Sequence, residues 1–194
     1  MPVSKPSEIP PEPGSGRYLC IDLDGTLVLT DTFAEAVLRF LRRSPLRLPL
    51  LLIWLLRGRP FLKMKVCEAA PLAPENLPYN IALIDYIKER KANGSTIILA
   101  TGAHRSIAAQ VAEHLGLFDA VHSSDGRHNL VGANKALLLA LKYPGFQYAG
   151  NSRADMPVWK KSDGAILVSD SAALRRRLQR SSIPIVRVIS GKKA

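Results

Sequence analysis

The sequence predicts an α/β fold in which a doubly wound parallel sheet carries a small helical insert. Six short runs are rich in Ile, Val and Leu, as strands buried on both faces of a sheet are. Helical patterns, with apolar residues spaced by three and four, lie between these runs, and repeated strand, helix, strand units form parallel sheets. A chain of 194 residues, 47% of them hydrophobic, is long enough for one such core with an insert.

The predicted elements alternate along the chain as such a sheet requires. Strands are predicted over residues 18–23, 95–101, 119–124, 146–151, 164–169 and 183–189. Apolar spacing predicts helices over 81–87 and 107–115, and a glycine that suits a helix C-cap follows each of them, Gly94 and Gly116 respectively. A further helix is predicted over "ANKALLLALK", residues 133–142.

Composition divides the chain into a leader, a core and an insert. Residues 1–16 hold five prolines and no apolar signal segment, which predicts a disordered leader. The core is predicted over 17–30 and 95–194, and the helical insert over 31–94. The two cysteines, Cys20 and Cys67, offer neither a disulfide framework nor metal-ligand spacing, which fits a reducing cytoplasm.

The charge balance favours an anionic partner. The chain has 27 Lys and Arg against 16 Asp and Glu, a net charge of +11. This excess suits a phosphate substrate, a nucleic acid or an anionic membrane surface. Nucleic acid is disfavoured, because the positive charges interleave with a long apolar run rather than with exposed aromatic residues that stack on bases.

Polar residues collect where the predicted strands end. Ligands of doubly wound sheets bind outside the carboxyl ends of the strands, so these residues are expected to share one rim of the sheet. They are Asp22, Asp24, Gly25 and Thr26 after the first strand, Thr101 and Gly102 after the second, Asn151 and Asp155 after the fourth, and Lys135 near the start of a helix.

The two aspartates suggest chemistry on a phosphate. Asp22 and Asp24 point to the same side of an extended chain, so a cation or a shared proton must offset their repulsion. Mg²⁺ is the economical cation, because it rests on one or two carboxylates plus a phosphate. We interpret Asp22 as a nucleophile toward phosphorus and Asp24 as an acid and then a base. Thr101 can donate to a phosphoryl oxygen, and Lys135 can neutralise the charge between nucleophile and phosphate.

Other rim residues are candidates for substrate contacts. Gly25 lets the backbone turn tightly toward a ligand. For His104 and Arg105, a substrate contact and a solvated helix start both remain open. Arg153 either meets a second anionic group or is a surface charge. The predicted substrate-contacting residues are Gly25, Thr26, Gly102, His104, Arg105 and Arg153.

Four segments carry a family resemblance. "DLDGTL", "LATG", Lys135 and "GNSRAD", in this order, resemble the motifs of the haloacid dehalogenase-like phosphatases over residues 17–169. The resemblance implies a Rossmann-like core, an aspartyl-phosphate on Asp22, and Mg²⁺ bound by Asp22, the Asp24 backbone carbonyl, Asn151 and Asp155. Members commonly carry an acidic residue where Asn151 stands. An amide oxygen still ligates Mg²⁺ but lacks the negative charge, which predicts weaker metal binding rather than an inactive site.

The predicted insert combines positive charge with an apolar helix. Residues 36–67 include no acidic residue, but eight basic residues surround "LPLLLIWLL". Nine helical residues extend ~14 Å against a hydrocarbon core of ~30 Å, so this segment cannot span a bilayer. It suits an interfacial helix on anionic lipid. A cap helix packed on the core explains the pattern equally well.

Longer segments resemble a narrower group. "LRGRPFLKMKV", "LPYN" and "YAGNSRADMPVW" are similar to the phosphatase domain joined to, or encoded beside, UbiA-family prenyltransferases. This similarity implies a polyprenyl-linked sugar phosphate as substrate, such as polyprenyl-phosphoryl-phosphoribose losing its 5-phosphate, and action on the inner face of the membrane beside a prenyltransferase. Two alternatives remain: a soluble phosphatase for a small metabolite, and a catalytically weak lipid-binding or regulatory partner of a prenyltransferase.

Overall fold

The structure contains one six-stranded sheet. This computed structural model describes residues 16–125 and 129–191, apart from the side chains of Arg59 and Pro60. The strands are β1 (Tyr18–Ile21), β2 (Thr96–His104), β3 (Ala120–Ser124), β4 (Gln147–Gly150), β5 (Gly164–Val168) and β6 (Ile185–Ile189). Their order is β3-β2-β1-β4-β5-β6, and every neighbouring pair is parallel. The predicted doubly wound α/β sheet is confirmed.

Helices cover both faces of the sheet. Helices α4 (Ile81–Ala92) and α5 (Arg105–Leu115) bury apolar residues on one face, and α6 (Gly132–Lys142), α7 (Met156–Trp159) and α8 (Ala172–Arg180) do so on the other. Strand β1 supplies both cores, because successive side chains of a strand point to opposite faces. Leu19 and Ile21 join the first core and Cys20 joins the second.

Two strands differ from prediction by two or more residues at the end that faces the rim. Strand β1 stops at Ile21, because the chain enters a turn in which the Leu23 carbonyl accepts from the Thr26 and Val28 amides at 3.2 and 2.9 Å. Strand β2 continues past Thr101 to His104, with an irregular register between these two residues. Thr101 and Gly102 therefore lie within the strand rather than after it.

Three helices fill the first part of the predicted insert. They are α1 (Thr32–Arg43), α2 (Leu48–Leu56) and α3 (Arg59–Ala69), with 3₁₀ turns at Pro45–Arg47 and Pro74–Asn76. Ala36, Phe40, Leu51 and Val66 bury their side chains in the same core as α4 and α5. The last part of the predicted insert is α4, which packs on β2.

Two further observations concern the predicted leader and the predicted apolar helix. Of the predicted leader 1–16, only Gly16 lies among the described residues, and its carbonyl accepts hydrogen bonds from Arg90 and Ser95. Within the described residues, no helix combines the length and apolar character that crossing a bilayer requires.

Candidate active site

The predicted rim residues lie around the point where the strand order reverses. Strands β2 and β3 lie on one side of β1, and β4 to β6 lie on the other, so this switch point falls between β1 and β4. The amide of Asp22, just after β1, donates to the Ala149 carbonyl of β4 at 3.0 Å. Asn151 directly follows β4. The sheet itself thus places Asp22 beside the loop that begins at Asn151.

Asp22 is paired with the predicted lysine. Lys135 Nζ donates to Asp22 Oδ1 at 2.7 Å, and Lys135, on the first turn of α6, is only 4% exposed. Burial raises the pKa of Asp22 to about 6, although the Lys135 charge opposes the shift. The positive charge that this largely buried carboxylate requires is therefore supplied by the chain itself.

Asp24 has separate partners at the start of the insert. Its Oδ1 accepts from the backbone amide of Thr32 at 2.8 Å and from the Thr32 hydroxyl at 2.7 Å. Burial raises the pKa of Asp24, while the hydrogen bonds from Thr32 act against the shift. A raised pKa suits a group that must first donate a proton. Because Thr32 begins α1, the position of this carboxyl depends on the insert.

Tyr148, which the sequence reasoning missed, bridges two predicted site residues. Its hydroxyl accepts from Lys135 Nζ at 2.9 Å and donates to Asp155 Oδ1 at 2.8 Å, and the residue is fully buried. Burial and the neighbouring carboxylates raise the pKa of Tyr148, which keeps it protonated. A hydroxyl-bearing side chain inside the apolar run "FQYAGN" was the available signal.

Asp155 anchors the loop after β4. Its Oδ2 accepts from the amides of Asn151 and Ser152 at 3.1 and 3.0 Å and from the Ser152 hydroxyl at 3.2 Å. With Tyr148 on Oδ1, four protein donors occupy a carboxylate that offers about four acceptor positions. This geometry holds Asn151 in place, and metal ligation by Asp155 stays a prediction.

We expect Tyr148→Phe to lower kcat about 10- to 100-fold, because a hydrogen bond to a charged group contributes roughly 1.5–3 kcal/mol. Removing the hydroxyl frees Lys135 Nζ on one side and leaves a buried oxygen of Asp155 without a donor. Steady-state kinetics should show the loss in kcat, with inorganic phosphate binding by calorimetry as the second readout. Tyr143→Phe is the matched control, because it deletes a hydroxyl bonded to His122 at 2.7 Å, in a contact that includes no predicted site residue. Equal losses in both variants would contradict a positioning role for Tyr148.

The smaller rim residues occupy tight positions. Thr101 is fully buried, and its Oγ1 accepts from the Ala103 amide at 3.0 Å. Gly25 has φ +70°, and a Cβ there would overlap the Asn151 amide. At Gly102 a Cβ would lie 2.6 Å from Val131 Cγ1. Thr26 is fully buried, and its Oγ1 has no hydrogen-bond partner among the described residues.

The remaining candidates for substrate contacts are His104, Arg105 and Arg153. His104 caps α5, with its Nδ1 2.9 Å from Ser106 Oγ, and lines a small cavity beside Asp24. Arg105, the first residue of α5, is exposed. Arg153 is exposed on a 3₁₀ turn of the loop after β4. A role in substrate binding remains a prediction for each of them.

The donor atoms at the switch point fit a magnesium ion. Across residues 16–125 and 129–191, no three His, Cys, Asp or Glu side chains form a ready-made metal cluster. The predicted oxygen donors here are the Asp22 carboxylate, the Asp24 carbonyl and the amide of Asn151, whose side chain lies against Gly25. Because Mg²⁺ takes oxygen ligands, usually with one or two carboxylates, and keeps several waters, this set matches its preferences.

The sequence pattern of the haloacid dehalogenase-like hydrolases matches residues 19–160. The chain belongs to this family. The predicted haloacid dehalogenase-like family is thereby confirmed, and the enzyme class that it shows is a hydrolase. Haloacid dehalogenase-like phosphatases in general use Mg²⁺.

One similar curated protein is the uncharacterized protein y4nM of Sinorhizobium fredii (strain NBRC 101917 / NGR234). It is 35% identical over 177 residues, which are 91% of this chain and 34% of that protein. The chain thus spans about a third of the length of this relative.

Solved structures share the fold of this haloacid dehalogenase-like hydrolase. A protein of unknown function from Bordetella pertussis Tohama I aligns with a TM-score of 0.65 and 17% identity, over 92% of this chain and 100% of that one. A substrate-bound phosphoserine phosphatase aligns with a TM-score of 0.61 and 17% identity, over 92% of this chain and 94% of that one. A phospho-aspartyl intermediate analogue of phosphoserine phosphatase aligns with a TM-score of 0.61 and 18% identity, over 91% of this chain and 94% of that one. At these identities the likeness concerns the fold.

Proposed function

We propose that this protein is a magnesium-dependent phosphomonoesterase that forms an aspartyl-phosphate on Asp22 and acts on a polyprenyl-linked sugar phosphate at a membrane surface. The pairing of Asp22 with Lys135 at the switch point is the observation that carries the proposal. It leaves the largely buried Asp22 carboxylate with one oxygen held by a cation, and Asp24 is held separately by Thr32. The two carboxylates can therefore take different roles.

The roles follow from these contacts. Asp22 attacks phosphorus through its second oxygen as the bond from phosphorus to the ester oxygen breaks. Asp24 donates its proton to that ester oxygen, which leaves as an alcohol. Asp24 then takes a proton from the water that attacks the aspartyl-phosphate, and this attack returns Asp22 as a carboxylate and releases phosphate. Lys135, held by Tyr148, keeps positive charge beside the transferring group. A magnesium ion on the oxygen donors of the site would offset the charge of the phosphate.

An exposed apolar helix supports the membrane part of the proposal. Leu52, Ile53 and Leu56 of α2 are 60%, 54% and 88% exposed, and Leu46, just before the helix, is 90% exposed. Isolated exposed leucines are ordinary, but a contiguous apolar surface marks an interaction site. Arginines flank this helix in the sequence, as an interfacial helix on anionic lipid requires. The similarity to UbiA-associated phosphatase domains supports a polyprenyl substrate and a prenyltransferase partner.

One observation favours the soluble-metabolite alternative. Leu51 is buried, and the half-buried ring of Trp54 lies 5.3 Å from that of Phe40 in α1. Helix α2 is therefore part of the insert's own packing as well as an exposed surface. If α2 serves only that packing, the substrate is a small phosphorylated metabolite.

Phosphate release tests the function. We expect the protein to release phosphate from a polyprenyl-phosphoryl-phosphoribose in anionic vesicles faster than from soluble sugar phosphates, and only with magnesium. Malachite-green detection, with EDTA as the control, measures this. Faster release from soluble phosphates would favour the metabolite phosphatase. An absence of magnesium-dependent release from every substrate would favour the catalytically weak binding partner.

A further inference from the structure

A small cavity lies between the insert and the end of β2. It has a volume of about 50 Å³, and its walls include Asp24, Phe33, Lys63, Cys67 and His104. Three separate parts of the chain, the turn after β1, the insert helices and β2, thus meet around it. In the proposed reaction Asp24 gives its proton to the leaving oxygen, so a cavity beside Asp24 is a candidate place for the alcohol attached to that oxygen.

Lys63 is the cation of this cavity. Its side chain is half-buried on α3, and Nζ lies 5.7 Å from the centre of the Phe33 ring. Among the described residues, no carboxylate forms an ion pair with Lys63, although its charge reaches Asp24 and acts against the raised pKa of that carboxyl. Lys65 on the same helix pairs with Glu68 at 2.8 Å. Asp31, another residue of the cavity wall, caps α1 by accepting from the Ala34 amide at 2.9 Å. A half-buried ammonium group without an ion-pair partner is suited to bind an anion.

His104 adds a neutral donor to the same wall. The Ser106 amide donates to His104 Nδ1 at 3.4 Å, which leaves the ring proton on Nε2. Burial, with the charge of Arg105, lowers the pKa of His104, so the ring is neutral near pH 7. The cavity wall therefore combines the Lys63 charge and the His104 ring with two carboxyl groups, Asp31, which caps α1, and Asp24, which protonates the leaving group.

We propose that Lys63 and His104 form a subsite for a second anionic group on the alcohol that leaves, either a carboxylate or a phosphodiester. This inference rests on the proposed function. It narrows the substrates to phosphate monoesters that carry another negative charge a few bonds from the scissile ester.

Two pairs of substrates test the effect of this second negative charge. Phosphoglycolate and 2-hydroxyethyl phosphate differ in a carboxylate, and ribose 1-(methyl phosphate) 5-phosphate and methyl riboside 5-phosphate differ in a phosphodiester. We expect the charged member of at least one pair to have a kcat/KM about 10- to 100-fold higher, since a charge-assisted hydrogen bond contributes on that scale. The preferred pair identifies the source of the anion. Lys63→Met should remove the preference, and Lys63→Arg should retain it. Lys65→Met, on the same helix, is the matched control and should leave it unchanged.

Binding to Asp22→Asn protein, measured by calorimetry with the same four compounds, separates this subsite from the catalytic proposal. Turnover without preference for either charged compound would overturn the subsite alone. Preferential binding that Lys63→Met removes, without turnover by the wild type, would overturn the phosphatase proposal alone. Equal or absent binding of all four compounds together with no turnover would overturn both.

Discussion

Asp22→Asn is expected to abolish phosphate release, with kcat falling by at least about 10⁴-fold, because the amide cannot form the aspartyl-phosphate. Asp24→Asn should lower kcat by about 10²–10⁴-fold, since it removes only proton transfer. It should slow both the formation and the hydrolysis of the covalent intermediate. Rapid-quench labelling with a ³²P substrate measures the two steps separately.

Folding must be controlled in both variants. In Asp22→Asn the side-chain amide oxygen can still accept a hydrogen bond from Lys135, so the fold should survive the change. Thermal unfolding of each variant checks this. Asp85→Asn, a change at an exposed aspartate of α4, is the matched control and should retain wild-type turnover. Turnover that survives in Asp22→Asn would show that the nucleophile lies elsewhere.

Leu52→Ser combined with Leu56→Ser is expected to weaken binding to anionic vesicles by about 100-fold or more, because each buried leucine contributes ~1.5–3 kcal/mol. Nearby arginines should add about 1 kcal/mol each on phosphatidylglycerol, and salt should weaken that part. Vesicle sedimentation measures the loss, and a blue shift of tryptophan emission on binding reports whether Trp54 approaches lipid.

The chosen leucines avoid the packed side of α2. Trp54 contacts Phe40 and Leu51 is buried, so changing either would destabilise the insert and confuse the result. Leu137→Ser with Leu141→Ser is the matched control, because these leucines of α6 are 59% and 85% exposed and lie outside the insert. Hydrolysis of a soluble phosphate should persist in both double variants. Failure of the wild-type protein to bind anionic vesicles at low salt would contradict the membrane proposal.

The strands could be predicted from sequence because buried strands are short runs of uniform composition. Five of the six begin and end within two residues of their predicted limits, and β2 runs three residues further. The exception depends on pairing: β2 continues because His104 pairs with Ser124 of β3 beyond a register shift. Composition contains no information about such a partner, since the pairing joins segments that are distant in the chain.

By itself the sequence determined the fold class, the family motifs and the candidate pair of Asp22 and Lys135. Asp22 follows a buried strand and Lys135 lies near the start of a helix, and local sequence patterns identify both positions. Only the tertiary structure decided the contacts between distant segments. It placed the Tyr148 hydroxyl between Lys135 and Asp155, turned Asp155 toward its own loop, and brought Lys63 to the cavity beside Asp24. Local spacing cannot predict these contacts, because the direction of each buried side chain is set by packing between elements that are far apart in sequence.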